Sequence, residues 1–182
     1  LFHYRLDLTR YRRSSYTGYC QVNERFAESL IGELEPDDTV WVHDFHLIPL
    51  GEALRRRGCR HAMGFFLHIP FPAPEVLTTL PAHQALIENL FAYDLIGFQT
   101  EADRRCFVNY VLNEAGGSVA GDGRVSAFGR TVVAEVFPIG IDTAGFRRSA
   151  TTKEASVHAE RMGRVLQNRL AVVGVDRLDY TK

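Results

Sequence analysis

The stretch Gly64-Phe65-Phe66-Leu67-His68-Ile69-Pro70-Phe71-Pro72-Ala73-Pro74 decides the fold. No polar residue alternates with the apolar ones from Gly64 to Leu67, so this run reads as a strand buried on both faces, as in a parallel sheet. His68 is the first polar side chain after it, at the carboxyl end of the strand, where open parallel sheets place their ligands. Pro70, Pro72 and Pro74 bar helix from continuing through the loop and fix its backbone, and a rigid loop can aim a side chain or a peptide N–H. The competing reading is a core histidine above a proline-stiffened turn.

On the N-terminal side, Leu1 to Arg13 alternates Phe2, Tyr4, Leu6 and Leu8 with polar residues, a strand or an extended lead-in. Tyr19 to Leu34 is a predicted helix with Val22, Phe26, Leu30 and Leu34 on one stripe. Thr39 to Val42 reads as a second buried strand, ending at His43-Asp44-Phe45-His46. Pro49 then opens a helix to Arg57. Arg55, Arg56 and Arg57 suit its last turn, where cations offset the helix dipole, and Gly58 suits its C-cap.

On the C-terminal side, Pro81 to Tyr93 is a predicted helix and Leu95 to Phe98 a short buried strand. Thr100 caps a helix from Glu101 to Glu114. Arg124 to Ala127 and Thr131 to Phe137 read as a hairpin through Phe128-Gly129-Arg130. Strands alternating with helices give an α/β domain with a mainly parallel sheet. The pattern stops at Pro138-Ile139-Gly140-Ile141-Asp142, which predicts a boundary near Gly140: residues 1–140 in one Rossmann-like domain, and 141–182 as a linker helix and the first strand, Leu170 to Val175, of another. The chain starts without methionine and ends just after that strand, so it reads as an internal segment, its first domain incomplete and its second barely begun.

The 182 residues are 46% hydrophobic and 24% charged, a composition that can fold and bury a core. A net charge of -1 gives no overall field for nucleic acid or an anionic membrane, so any anion site must be local. Cys20, Cys59 and Cys106 are scattered, with no C-x-x-C, which argues against a disulfide framework or a zinc knuckle and suits a reducing compartment. No apolar stretch approaches the roughly 18 residues of a membrane span. The expected location is the cytoplasm.

Polar residues therefore gather at three strand ends: His43-Asp44-Phe45-His46, His68, and Arg177 with Lys182. Extended geometry would put Asp44 and His46 on one face, a pair that could ligate a metal but supplies too few ligands for a closed site. A carboxylate there also accepts hydrogen bonds from sugar hydroxyls, charge-assisted contacts worth roughly 1.5 to 3 kcal/mol each; capping the following helix is the structural alternative. Arg177 and Lys182 span at most about 17 Å, so both reach one diphosphate only if the chain bends between them. Arg offers a planar fork and Lys a mobile point charge, complementary for a leaving diphosphate, although surface cations are common.

The motifs F-H-Y-R at Phe2 to Arg5, V-H-D-F-H at Val42 to His46, G-F-F-L-H-I-P-F-P at Gly64 to Pro72, D-L-I-G-F-Q-T at Asp94 to Thr100, P-I-G-I-D at Pro138 to Asp142 and V-D-R-L-D-Y-T-K at Val175 to Lys182 together resemble the trehalose-6-phosphate synthase family, in order and nearly end to end. The resemblance implies a retaining glycosyltransferase of GT-B type, two Rossmann-like domains across a cleft, the first holding the acceptor and the second the nucleotide sugar. It implies glucosyl transfer from UDP-glucose to glucose 6-phosphate, giving trehalose 6-phosphate and UDP, with no cofactor and no required metal. By position, Asp44 matches the acceptor-binding aspartate and His68 the residue contacting the donor glucose near the reacting centre, helped by the Ile69 backbone. Arg177 and Lys182 match the pair on the UDP diphosphate. The family's front-face internal return lets the leaving phosphate oxygen take the acceptor proton, so no carboxylate nucleophile is needed.

Where many members have tyrosine this chain has Phe45, and the family's glycine-rich donor loop and acceptor-phosphate arginines fall outside it. The 182 residues alone are therefore expected to be inactive. The implied partners are the two small-molecule substrates, without nucleic acid or membrane; a homo-oligomer is left open. Other readings are a related retaining transferase such as glucosylglycerol-phosphate synthase, a non-catalytic regulatory member, and a metal hydrolase on His43, Asp44 and His46.

Overall fold

A computed structural model describes residues 1–167 and 169–175. The chain divides into a compact unit from Leu1 to Pro138 and a second from Ile139 onward.

In chain order the first unit comprises α1 (Arg13–Ile31), β1 (Thr39–His43), α2 (Leu50–Arg56), β2 (Ala62–Phe66), the single turn α3 (Pro74–Leu77), α4 (His83–Leu90), β3 (Leu95–Phe98), α5 (Glu101–Glu114), β4 (Ser118–Val119), β5 (Arg124–Ala127) and β6 (Arg130–Val136). The strands form one sheet in the order β1-β2-β3-β6-β5-β4. β1, β2, β3 and β6 are parallel, and β5 and β4 extend the edge antiparallel. Parallel neighbours joined by right-handed crossovers in one direction place their connecting helices on a single face. That face is the core: Val40, Val42, Met63, Phe65, Leu67, Ile96, Phe98, Val132 and Ala134 are all buried.

β2 is buried on both faces, as its unbroken apolar run requires, with Met63, Phe65 and Phe66 all covered. β1 differs. Thr39, Trp41 and His43 are exposed and alternate with buried Val40 and Val42, so β1 is buried on one face only, and Trp41 lies across Gly64 of β2. Phe128 and Gly129, with φ of 52° and 73°, form the two-residue turn between β5 and β6, both in the left-handed conformation that matches strand twist. The lead-in from Leu1 is a turn followed by a short 3-10 helix, Leu6–Leu8.

α1 begins earlier than its apolar stripe suggested, and of that stripe only Leu30, with Leu34 beyond the helix end, packs against the core. Val22 and Phe26 are about half exposed, whereas Asn23 and Ala27 are buried. Arginines at the end of α2 join α1 to α2: Arg56 pairs with Glu24, and Arg57 with Glu24 and with Glu28 at 3.0 Å. Arg55 instead donates to the carbonyls of Ala92, Cys59 and His61 and to Asp94, fastening the chain entering β2 to that entering β3. Gly58, at φ 86°, provides the turn after the helix.

In the second unit the expected linker helix is two helices, α6 (Thr143–Ala150) and α7 (Lys153–Leu166). The chain breaks between them because the Thr152 hydroxyl accepts from the Ala155 amide and starts a new helix. The strand expected from Leu170 to Val175 does not form: these residues carry no regular structure, with Leu170, Val172 and Val175 almost wholly exposed. A strand exists through ladder bonds to a neighbour, and among the described residues nothing pairs with this segment.

Candidate active site

The carboxyl end of β1 leads into Asp44, whose backbone has φ 70° and ψ 162°, a region that only glycine occupies without strain. Its amide donates to the Phe66 carbonyl at 2.8 Å, continuing the β1–β2 ladder, and its Oδ1 accepts from the Phe45 amide at 3.0 Å. A 3-10 turn follows, Phe45–Leu47. Asp44 and His46 therefore do not share a strand face; the chain has turned before His46.

This loop is gripped through its carbonyls. From α1, the Tyr19 hydroxyl donates to Phe45 O at 2.5 Å, and Asn23 Nδ2 donates to His46 O at 3.1 Å. Entering β3, the Tyr93 hydroxyl donates to Leu47 O at 2.9 Å. Burial raises the pKa of both phenols far above the ordinary value, so they act as neutral donors. Phe2 stacks on Phe45 with ring centroids 5.4 Å apart. The sequence reading passed over Tyr19 and Asn23; their spacing of four, one helical turn, was the available signal.

β2 ends at Phe66, and the Leu67 amide donates to Gly97 O at 3.0 Å, so the extended chain carries on to an exposed His68 and a half-buried Ile69. The loop beyond is clamped at Phe71. Its amide donates to Oδ1 of the buried Asp103 at 3.0 Å, while its carbonyl accepts from the Tyr4 hydroxyl at 3.3 Å. The Asp103 Oδ2 in turn accepts from the Thr100 hydroxyl at 2.6 Å. Tyr4 also accepts from the Ala73 amide at 3.2 Å. Three prolines and three hydrogen bonds thus fix the segment after His68, and Thr100 holds the Asp103 carboxylate in place for one of them.

The two strand ends meet. His43 Nδ1 lies 2.9 Å from His68 Nε2, with ring centroids 5.1 Å apart. Lost hydration and then the facing His68 push the His43 pKa below its ordinary value, with Asp44 pulling the other way. Asp44 follows His43 directly, so Asp44 and His68 stand at the ends of neighbouring strands, whose backbones are about 4.8 Å apart.

Among the described residues no three of His, Cys, Asp and Glu form a group fit for a metal ion, and His43, Asp44 and His46 make no such group. Arg177 and Lys182 lie outside the described residues. A cavity of about 900 Å³ borders the loop through Phe45 and His46, but neither Asp44 nor His68 lines it. No helix of the described residues is long and apolar enough to cross a membrane. Chemically, the strand ends offer a hydrogen-bond acceptor for hydroxyls and an imidazole on a rigid support.

Known proteins share this sequence and shape. The trehalose-6-phosphate synthase of Klebsiella pneumoniae is 45% identical over 181 residues, matching 100% of this chain and 38% of its own length. The alpha,alpha-trehalose-phosphate synthase (UDP-forming) of Burkholderia xenovorans, in complex with glucose-6-phosphate, is 44% identical with a TM-score of 0.86, over 92% of this chain and 38% of that one. An E. coli trehalose-6-phosphate structure bound with UDP-2-fluoro glucose is 41% identical with a TM-score of 0.81, over 89% and 37%. The chain thus spans well under half the length of these relatives. The family model described as glycosyltransferase family 20 matches from residue 1 to residue 182, and the chain belongs to that family.

Proposed function

We propose that this chain is part of a retaining glucosyltransferase that moves glucose from UDP-glucose to glucose 6-phosphate, forming trehalose 6-phosphate and UDP. The observation that carries this reading is the meeting of adjacent strand ends: the His68 imidazole lies 2.9 Å from that of His43, Asp44 follows His43 directly in the chain, and the loop after His68 is clamped at Phe71. Relatives of the same family bind glucose-6-phosphate and UDP-2-fluoro glucose.

In this mechanism Asp44 accepts hydrogen bonds from acceptor hydroxyls and sets the orientation of glucose 6-phosphate. His68 and the Ile69 backbone contact the donor glucose, and Arg177 and Lys182 hold the diphosphate. The bond from the anomeric carbon to the diphosphate oxygen breaks, and the acceptor's anomeric oxygen attacks from the same face. Its proton passes to the departing phosphate oxygen. Charge grows on the diphosphate as the bond stretches, and fixed cations there stabilise the transition state more than the ground state. No metal enters any step. The first unit is the acceptor side, and the second begins the nucleotide-sugar side.

Release of UDP by the full-length protein tests the reading. It is expected to require UDP-glucose and glucose 6-phosphate together, and to fall on Asp44→Ala through a raised KM for glucose 6-phosphate. Turnover with glycerol 3-phosphate in place of the hexose phosphate would favour a glucosylglycerol-phosphate synthase instead. An Asp44→Ala protein with unchanged acceptor kinetics would remove that residue from the site.

A further inference from the structure

β1 and β2 pair in parallel with His43 opposite Phe66. Side chains repeat every second residue along a strand, so His68, two beyond Phe66, falls on the same face as His43 and one step up the neighbouring strand. The ladder bonds from Asp44 N to Phe66 O and from Leu67 N to Gly97 O hold that register past the ends of both strands. The imidazoles consequently meet edge to edge, Nδ1 of His43 against Nε2 of His68 at 2.9 Å, their planes within 25°. At this distance a single proton lies between the facing nitrogens, one ring donating and the other accepting.

We propose that His43 is a positioning residue for His68, accepting its Nε2–H and so fixing both the plane of the ring and the nitrogen it presents to a bound sugar. The proposal rests on the reading of His68 as a donor-glucose contact. Both rings then hold the tautomer that neutral histidine ordinarily prefers, with the proton on Nε2: His68 uses its N–H toward His43, and His43 receives it on Nδ1. The low proton affinity of His43 agrees with its role as a neutral acceptor. His68 is left with a bare Nδ1, an acceptor for a hydroxyl of the donor glucose. Without His43 the ring is free to rotate and to move its proton to Nδ1, which would turn an acceptor into a donor and repel that hydroxyl's proton.

The test uses full-length protein with ring-labelled histidine, read by long-range proton–nitrogen NMR, alongside kinetics. His43→Asn puts an amide oxygen close to where Nδ1 stood, and His43→Leu removes the acceptor while keeping bulk. His68 is expected to hold the Nε2–H tautomer in the parent and in His43→Asn and to become a tautomer mixture in His43→Leu. In the kinetics, kcat/KM for UDP-glucose is expected to fall about tenfold in His43→Leu, the effect of losing one hydrogen bond, and to recover most of the way in His43→Asn. An unchanged His68 tautomer in His43→Leu, or equal losses in both variants, overturns the proposal. If His68→Ala leaves UDP-glucose kinetics untouched, the underlying assignment of His68 fails instead, a result the NMR outcome does not depend on.

Discussion

The hydroxyl of Tyr93, at the foot of β3, accepts a hydrogen bond from the amide of Gly51 on α2 at 2.9 Å. The same hydroxyl donates to Leu47 O in the loop after Asp44, so one buried phenol couples helix, sheet and site.

A Cβ on Gly51 would stand 2.6 Å from Tyr93 Cζ. Both residues are buried and the ring is held at its hydroxyl end, so neither can retreat. Gly51→Ala is expected to destabilise the fold by about 1 to 3 kcal/mol through overpacking, read as a lower urea midpoint. Tyr93→Phe keeps the ring and should lose about 1 to 3 kcal/mol for the unpaired Gly51 amide. A midpoint unchanged in Gly51→Ala would contradict the close approach.

Asp44 separates backbone strain from side-chain function. Asp44→Gly and Asp44→Ala both delete the carboxylate, but only alanine retains a Cβ at φ 70°. The glycine variant should be more stable than the alanine variant by about 1 to 3 kcal/mol. Both should be equally impaired with glucose 6-phosphate in the full-length protein. Equal melting temperatures would show that the strain is not there.

Glu24 gives a pH signature. Arg57 foremost, with Arg56, holds its carboxyl below the ordinary value of 4.5. The folded state therefore binds this proton less readily than the unfolded chain, and the stabilisation is full above the unfolded value and lost as pH falls through the folded one. Thermal unfolding followed downward from about pH 6 should show a loss that Glu24→Gln makes shallower, since that variant has no carboxylate to neutralise. Parallel curves for the two proteins would exclude the contribution. The pair is partly exposed, so the difference should also shrink in high salt.

The sheet was the most readable part of the chain because burial on both faces leaves β2 no polar residue, and the apolar run marks its span to within two residues at either end. The hairpin was readable from the glycine between two apolar runs, but its loop is one residue shorter than Phe128-Gly129-Arg130, because Arg130 already pairs with Ala127 and Phe128 takes a left-handed conformation that its side chain does not announce. The inner face of α1 was legible only at Leu30 and Leu34, which pack against the core; nearer its start it meets the loop after β1 through Tyr19 and Asn23, polar groups that satisfy backbone carbonyls, while Val22 and Phe26 are half exposed. Asp44 and His68 stood out by position, as polar residues ending apolar strands. Their surroundings did not: the positive φ of Asp44 follows from how the loop is tied down, and the His43–His68 contact follows from strand register, which a single sequence does not specify.

The double grip on Phe71 bears on how a sugar would be received. A segment held at its N–H by Asp103, at its carbonyl by Tyr4 and stiffened by three prolines has little freedom left for a ligand to take away. Docking against His68 and Ile69 would thus resemble a key entering a finished lock, with a small ordering entropy at this wall and no slow rearrangement of the loop before encounter.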